Sequence, residues 1–303
     1  MDFLHPSDKV ALVATARKIT PDELRPSLDL LRSWGLEPIL APNLYAADCQ
    51  FAGTDLQRAA DLQWALDNPE VRAVICVRGG YGTVRIIDRI DFSHFAQNPK
   101  WIVGYSDVTV LHSHIHTLLS IPTLHATMPV NIPPDALTRH YPSLQSLHEA
   151  LFQGNVTLHP ESHPLNRLGN AVAPVVGGNL SILYSLCGSP SDISTDGKIL
   201  FIEDLDEYLY HIDRMMLNLK RSGHLARLKG LLVGSLTDMH DNTVPFGRTA
   251  EQIVSDAVRD YDYPVCFNVP CGHIDTLNRA LILGHPLSMT LDPQSNTFHL
   301  TQS

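Results

Sequence analysis

The first hundred residues read as strands alternating with helices. Residues 9–16 (KVALVATA) form a nearly unbroken apolar run, the pattern of a strand buried on both faces. Thr20-Pro21-Asp22-Glu23 then opens a helix, with a capping threonine, a proline in the first turn and acidic residues beside it. Leu28, Leu31 and Trp34 carry its apolar face to Gly35. A short strand at 37–40 precedes a helix over 54–66, with Leu56, Ala59, Ala60 and Leu62 on one face. A third strand, 71–77, enters Arg78-Gly79-Gly80-Tyr81-Gly82, and a helix is expected over 83–90. Residues 100–103 supply the next strand. Val108, Leu111, Ile115 and Leu118/Leu119 then fall at helical spacing.

This alternation predicts an α/β domain over 1–135, built on a parallel sheet covered on both faces, with ligands at the carboxyl ends of its strands. From 136 to 172, prolines punctuate the chain and apolar runs are short. A linker with one helix over 143–151 is expected there. Residues 173–303 read as a smaller α+β domain rich in strands. Strands are expected at 198–202, 228–236, 264–269, 280–283, 288–291 and 297–300, with helices at 210–222 and 249–259.

Two turns of the first domain open on the same sheet edge. One is Gly79-Gly80-Tyr81-Gly82. The other is Gly104-Tyr105-Ser106-Asp107, where a strand passes into a helix and holds the serine out of the sheet. Such a corner lets a hydroxyl attack a carbonyl while the first free helix amides receive the oxyanion. The G-x-S-x-G pattern of nucleophile elbows fails at its last position, Val108, and a plain helix cap by Ser106 is the competing reading.

Charge and cysteine content narrow the class. The net charge of -10 and pI near 5.8 disfavour a nucleic-acid binder. No apolar run reaches membrane-span length, and the first residues lack a basic-then-apolar leader, so no membrane partner is expected. Five cysteines without C-x-x-C spacing are expected to be reduced thiols in the cytoplasm.

A serine nucleophile needs a base and a group to orient it. Among 16 histidines the sequence alone selects none. Two places in the second domain bear suitable groups: Glu203-Asp204 after an apolar strand, and His273 after Cys271-Gly272. Their plainer readings are a solvated loop pair and a surface turn histidine.

The chain resembles the LD-carboxypeptidase family of serine peptidases, which includes the muropeptide LD-carboxypeptidases and the microcin C self-immunity proteins. The resemblance rests on VRGGYG (77–82), GYSDVT (104–109), VGGNL (176–180), LFIED (200–204), IDRM (212–215), GLLVG (230–234), Gly272-His273 and Leu283-Gly284, in that order. It implies a triad of Ser106, Glu203 and His273, with an oxyanion hole from the backbone N–H of Asp107 and of Gly79 or Gly80. The Asp107 side chain is expected to cap its own helix. The implied reaction is hydrolysis of an amide between an L-centre and a terminal D-residue, through an acyl-enzyme and without metal or cofactor, at a site between the domains of a homodimer. The substrate implied is a muropeptide tetrapeptide, in peptidoglycan recycling. The first strand departs from the family, which typically ends it in Pro-Ser. Here it ends Val13-Ala14-Thr15-Ala16-Arg17, a loop expected to wall the pocket.

Other signals are weaker. His112, His114 and His116 include an i, i+4 pair, but no glutamate follows as in H-E-x-x-H, and packing is the expected role. Cys271 reads as a small buried thiol. Arg78, with Tyr81 in the same turn, is a candidate for substrate binding: a carboxypeptidase must receive a terminal carboxylate. Bracing of the turn is the equal alternative for Arg78. Two further functions stay open: a self-immunity-type hydrolase of peptidyl or aminoacyl nucleotides using the same triad, and a non-catalytic ligand-binding module.

Overall fold

The structure is a computed structural model, and it describes residues 1–292 and 297–303. The first half runs β1 (Lys9–Val13), α1 (Pro21–Ser33), β2 (Glu37–Leu40), α2 (Asp55–Asp67), β3 (Val71–Cys76), α3 (Ser93–Gln97), β4 (Trp101–Gly104), α4 (Thr109–Leu119) and β5 (Thr123–His125). After α5 (Pro142–Gln153) and β6 (Val156–Leu158) come β7 (Ala171–Asn179), α6 (Leu180–Leu186), β8 (Ile199–Leu205), α7 (Leu209–Arg221), β9 (Gly230–Thr237) and α8 (Ala250–Ala257). Four strands close the chain: β10 (Val265–Cys266), β11 (Leu281–Leu283), β12 (Pro286–Asp292) and β13 (Thr297–Gln302).

Local chemistry accounts for the helix starts. Thr20, Thr54 and Thr249 each accept the N–H three residues on, while Glu23, Gln57 and Gln252 reach back to the capping residue. The expected helix over 83–90 is instead two short 3-10 turns, at Thr83–Arg85 and Ile87–Arg89.

Two mixed sheets result. The first has the order β11-β5-β4-β3-β1-β2, parallel except at its edge, where β11 pairs antiparallel with β5. Sequence pattern assigned 280–283 to the second domain; in space the strand returns to the first sheet. The second sheet has the order β10-β9-β8-β7-β12-β13-β6. Its β7–β10 portion is parallel, and β12, β13 and β6 extend it antiparallel. The stretch expected to be only a linker and one helix thus contributes strand β6, paired with β13.

The apolar core does not stop between the sheets. Val10, Leu12, Val74, Ile102 and Val103 belong to one cluster with Val175, Ile199, Phe201 and Met289 of the second sheet. A second cluster lies between the other face of β8–β9 and α6, α7 and α8, including Ile202, Met215, Leu231 and Ile253. Each large aliphatic side chain so buried stabilises by roughly 1.5–3 kcal/mol. A shared core therefore opposes hinge motion between the halves and fixes the groups that meet at their junction.

Candidate active site

Ser106 follows β4 on a sharp corner and has φ 63°, a left-handed conformation that non-glycine residues rarely adopt. A 3-10 turn (Ser106–Val108) leads from it into α4. Strain of this kind persists only where the surroundings over-determine the backbone. Here Asp107, almost fully buried, accepts the Thr83 N–H at 2.8 Å through Oδ2. Its carboxylate therefore ties the serine corner to the turn after Gly82, rather than capping its own helix as expected. Burial pushes the Asp107 carboxyl upward, against hydrogen bonds from Thr83 and Gly82 that favour its ionised form. Arg58, with no exposed side chain, fastens the same turn to the loop after β1. Its Nη1 donates to Thr15 O at 2.6 Å and Gly82 O at 2.9 Å, and Nη2 pairs with Asp55.

The Gly79-Gly80 turn comes very close to the serine. A Cβ on Gly79 would lie 3.1 Å from Ser106 Cβ and 3.2 Å from its Oγ. The N–H groups of Gly79 and Gly80 donate to no backbone acceptor in a turn, loop or cap among the described residues. Asp107 N–H belongs to the first turn of a helix, where amides lack intrahelical partners.

Glu203 comes from β8 of the other sheet, and His273 from the loop after β10. Alternation along β8 turns the adjacent carboxylates apart. Asp204 accepts from Asn179 Nδ2 at 2.9 Å and from the Ser181 N–H at 2.8 Å, bracing the start of α6. Burial, and then the Glu203 charge, push Asp204 up to about 7. Glu203 is fully buried and accepts His273 Nδ1–H on Oε2 at 2.6 Å. This bond leaves Nε2 as the basic nitrogen.

Two features aim Glu203. The β8–β9 register slips between Ile202 and Asp204, so that Gly234 and Ser235 both stand opposite Glu203. Such a bulge re-aims a side chain beside a site. Gly272, with φ 110°, then passes so close that a Cβ there would lie 2.8 Å from both Glu203 Cβ and Oε2. Burial lowers the His273 pKa, but the Glu203 hydrogen bond and charge outweigh it, and the net value is raised above the ordinary 6.5.

Ser106 and His273 face one open pocket of about 230 Å³, together with Arg78, Gly79, Gly80, Tyr105, Met128, Val130 and Asn131. The Tyr105 ring lies 4.8 Å from the His273 ring, and its hydroxyl donates to Asn131 Oδ1 at 3.1 Å. Tyr105 stands inside the serine motif, whereas Asn131 carries no signal in the sequence. Arg78 reaches the pocket but donates to Glu23 Oε1 at 3.1 Å and Lys18 O at 3.2 Å. Tyr81 does not line this pocket; its ring packs 6.1 Å from Phe51.

The histidine run is built into the packing. His112 donates from Nε2 to Gly104 O at 2.9 Å and accepts from Thr123 at 2.8 Å, and burial lowers its pKa to about 4. His114 bonds Ser191 at 2.8 Å. Cys271 is fully buried, which pushes its thiol well up. Away from the pocket, Cys187, Asp192 and His224 group their ligand atoms within 4.8 Å. Within that group His224 Nε2 donates to Asp192 at 2.7 Å.

A serine beside turn amides that have no acceptor among the described residues, sharing a pocket with an imidazole anchored to a buried carboxylate, has the parts for acyl transfer. The LD-carboxypeptidase N-terminal domain model matches residues 10–126, and the C-terminal domain model matches residues 172–289. The probable murein peptide carboxypeptidase of Bacillus subtilis is 38% identical over 278 residues, 89% of this chain and 85% of that protein. The murein tetrapeptide carboxypeptidase of Pseudomonas aeruginosa is 30% identical over 281 residues, 90% of each chain. The crystal structure of muramoyltetrapeptide carboxypeptidase from Oxalobacter formigenes superposes with a TM-score of 0.87, at 25% identity over 97% of this chain and 98% of that one. The chain therefore belongs to the LD-carboxypeptidase family of serine peptidases.

Proposed function

We propose that this peptidase hydrolyses the amide joining an L-centre to the terminal D-alanine of murein tetrapeptides, with Ser106, His273 and Glu203 as its triad. The observation that carries the reading is the pocket that Ser106 and His273 both line, with His273 Nδ1 held 2.6 Å from Glu203. Ser106 Oγ attacks the scissile carbonyl while His273 Nε2 takes its proton. The amides of Asp107 and of the Gly79-Gly80 turn stabilise the oxyanion. Collapse transfers the His273 proton to the departing amine, and D-alanine leaves. Water, activated by the same imidazole, then attacks the acyl-serine and releases the tripeptide. Glu203 holds the imidazole in its working tautomer throughout.

Relatives named for murein peptides support this substrate over an aminoacyl nucleotide. The five free cysteines fit action in the reducing cytoplasm, and the homodimer implied by the resemblance is part of the same proposal. Side-by-side assays with an L,D-linked murein tetrapeptide and an aminoacyl sulfamoyl nucleoside test the reading. D-alanine release with the nucleoside intact is expected; cleavage of the nucleoside alone overturns it.

A further inference from the structure

The loop after β1 carries a cation that the triad does not use. Arg17 is exposed, its N–H donates to Gly79 O at 3.4 Å, and its backbone bridges to Phe51. Its side chain lies across the glycine turn. A Cβ on Gly80 would stand 2.6 Å from Arg17 Cδ and 2.9 Å from Nε. Among the described residues its guanidinium has neither a hydrogen-bond nor an ion-pair partner.

The neighbouring glycine faces the nucleophile. Gly79 sits against Ser106 and Gly80 against Arg17, and consecutive Cα atoms are ~3.8 Å apart. Arg17 does not itself line the pocket of Ser106 but lies against Gly80, which does, and a peptide with its scissile carbonyl on Ser106 carries its terminal carboxylate one residue further on. Arg78, the arginine within the glycine turn, is already engaged through one nitrogen. Its Nη1 is shared between Glu23 Oε1 at 3.1 Å and Lys18 O at 3.2 Å. Glu23 also accepts from Thr20 N at 2.8 Å to cap α1. A carboxylate brought to Arg78 would meet the Glu23 charge, whereas Arg17 presents an unpaired planar fork suited to bidentate binding.

We propose that Arg17 receives the substrate's terminal carboxylate and so confines the enzyme to the last residue of a peptide. This rests on the hydrolytic reading above.

The test compares the L,D-tetrapeptide with its C-terminal carboxamide for wild type, Arg17→Gln, Arg17→Lys and Arg78→Gln, each checked for an unchanged Tm. Wild type is expected to favour the free acid by a factor on the order of 10–100 in kcat/KM, the scale of a charge-assisted hydrogen-bonded pair. Arg17→Gln should bring that ratio close to one, Arg17→Lys should restore part of it, and Arg78→Gln should keep it. A ratio that survives Arg17→Gln, or collapses in Arg78→Gln alone, overturns the assignment. Release by wild type from neither peptide removes the hydrolytic reading and this inference with it.

Discussion

His273 Nδ1 lies 2.6 Å from Oε2 of a glutamate, Glu203, that has no solvent exposure, and Oε1 of that glutamate has no hydrogen-bond partner among the described residues. The carboxylate is thus spent on one imidazole. In the proposed triad His273 must be neutral to accept the serine proton, and its pKa is raised above 6.5. The acid limb of kcat/KM should therefore have its midpoint above 6.5. Glu203→Gln removes the Glu203 charge and its ionic hydrogen bond and leaves burial, the largest single influence, opposed by the weaker Asp204 charge, so the midpoint should move down. The kcat of that variant should fall by a factor on the order of 10⁴. A limb that stays in place sinks the assignment. Linked to folding, the same raised pKa makes the pair's contribution fully present below the unfolded imidazole value. It is lost as pH rises through the folded one.

Gly272→Ala should damage the site from the inside. The new methyl would meet Ser235 Oγ at 2.6 Å and Glu203 Oε2 at 2.8 Å, on backbone with φ 110°. A loss of about 1–3 kcal/mol in stability is expected from chemical denaturation, with a larger proportional loss of activity. Full activity in a folded Gly272→Ala protein contradicts the packing described for Glu203.

The strain at Ser106 makes a separable prediction. Its φ of 63° suits glycine, so Ser106→Gly should raise stability by about 1 kcal/mol while abolishing turnover. Ser106→Ala keeps the Cβ and the strain, and should be equally inactive without that gain. Thermal melts of the two variants decide it: equal stabilities mean that the corner is relaxed.

Asp107→Ala tests the tie between the two turns. It leaves the buried Thr83 N–H without its acceptor, now at 2.8 Å. A loss of about 1–3 kcal/mol is expected, and kcat should fall more than KM rises as the amides of the proposed oxyanion hole lose their register. A variant with unchanged kcat removes Asp107 from the positioning of this edge.

How far the sequence foretold this arrangement depends on the range of the interactions involved. Buried strands such as β3 and β4, and capped helices such as α1 and α2, are written in local pattern. The LD-carboxypeptidase resemblance picked out Ser106, Glu203 and His273, which the structure brings to one junction. Pattern failed where distant residues decide. The expected 83–90 helix is broken into turns whose first amide is taken by Asp107, 24 residues away. Strand β6 exists through β13, which pairs with it across more than 130 residues. The strand expected over 264–269 forms a regular ladder at Val265 and Cys266, and the chain beyond keeps beside β9 through isolated bonds at Val269 and Cys271 as it brings His273 to Glu203. Asn131 has no local mark, because its role depends on the Tyr105 hydroxyl that finds it.

The central claim is that Ser106 carries the acyl group during hydrolysis of an L,D-amide. Rapid-quench mass spectrometry of the protein with an L,D-linked murein tetrapeptide, alongside D-alanine release by wild type and Ser106→Ala, tests it directly. A tripeptide adduct on the fragment bearing Ser106 is expected, with loss of both adduct and release in the variant. D-alanine release that persists in Ser106→Ala, or an adduct on another residue, contradicts it.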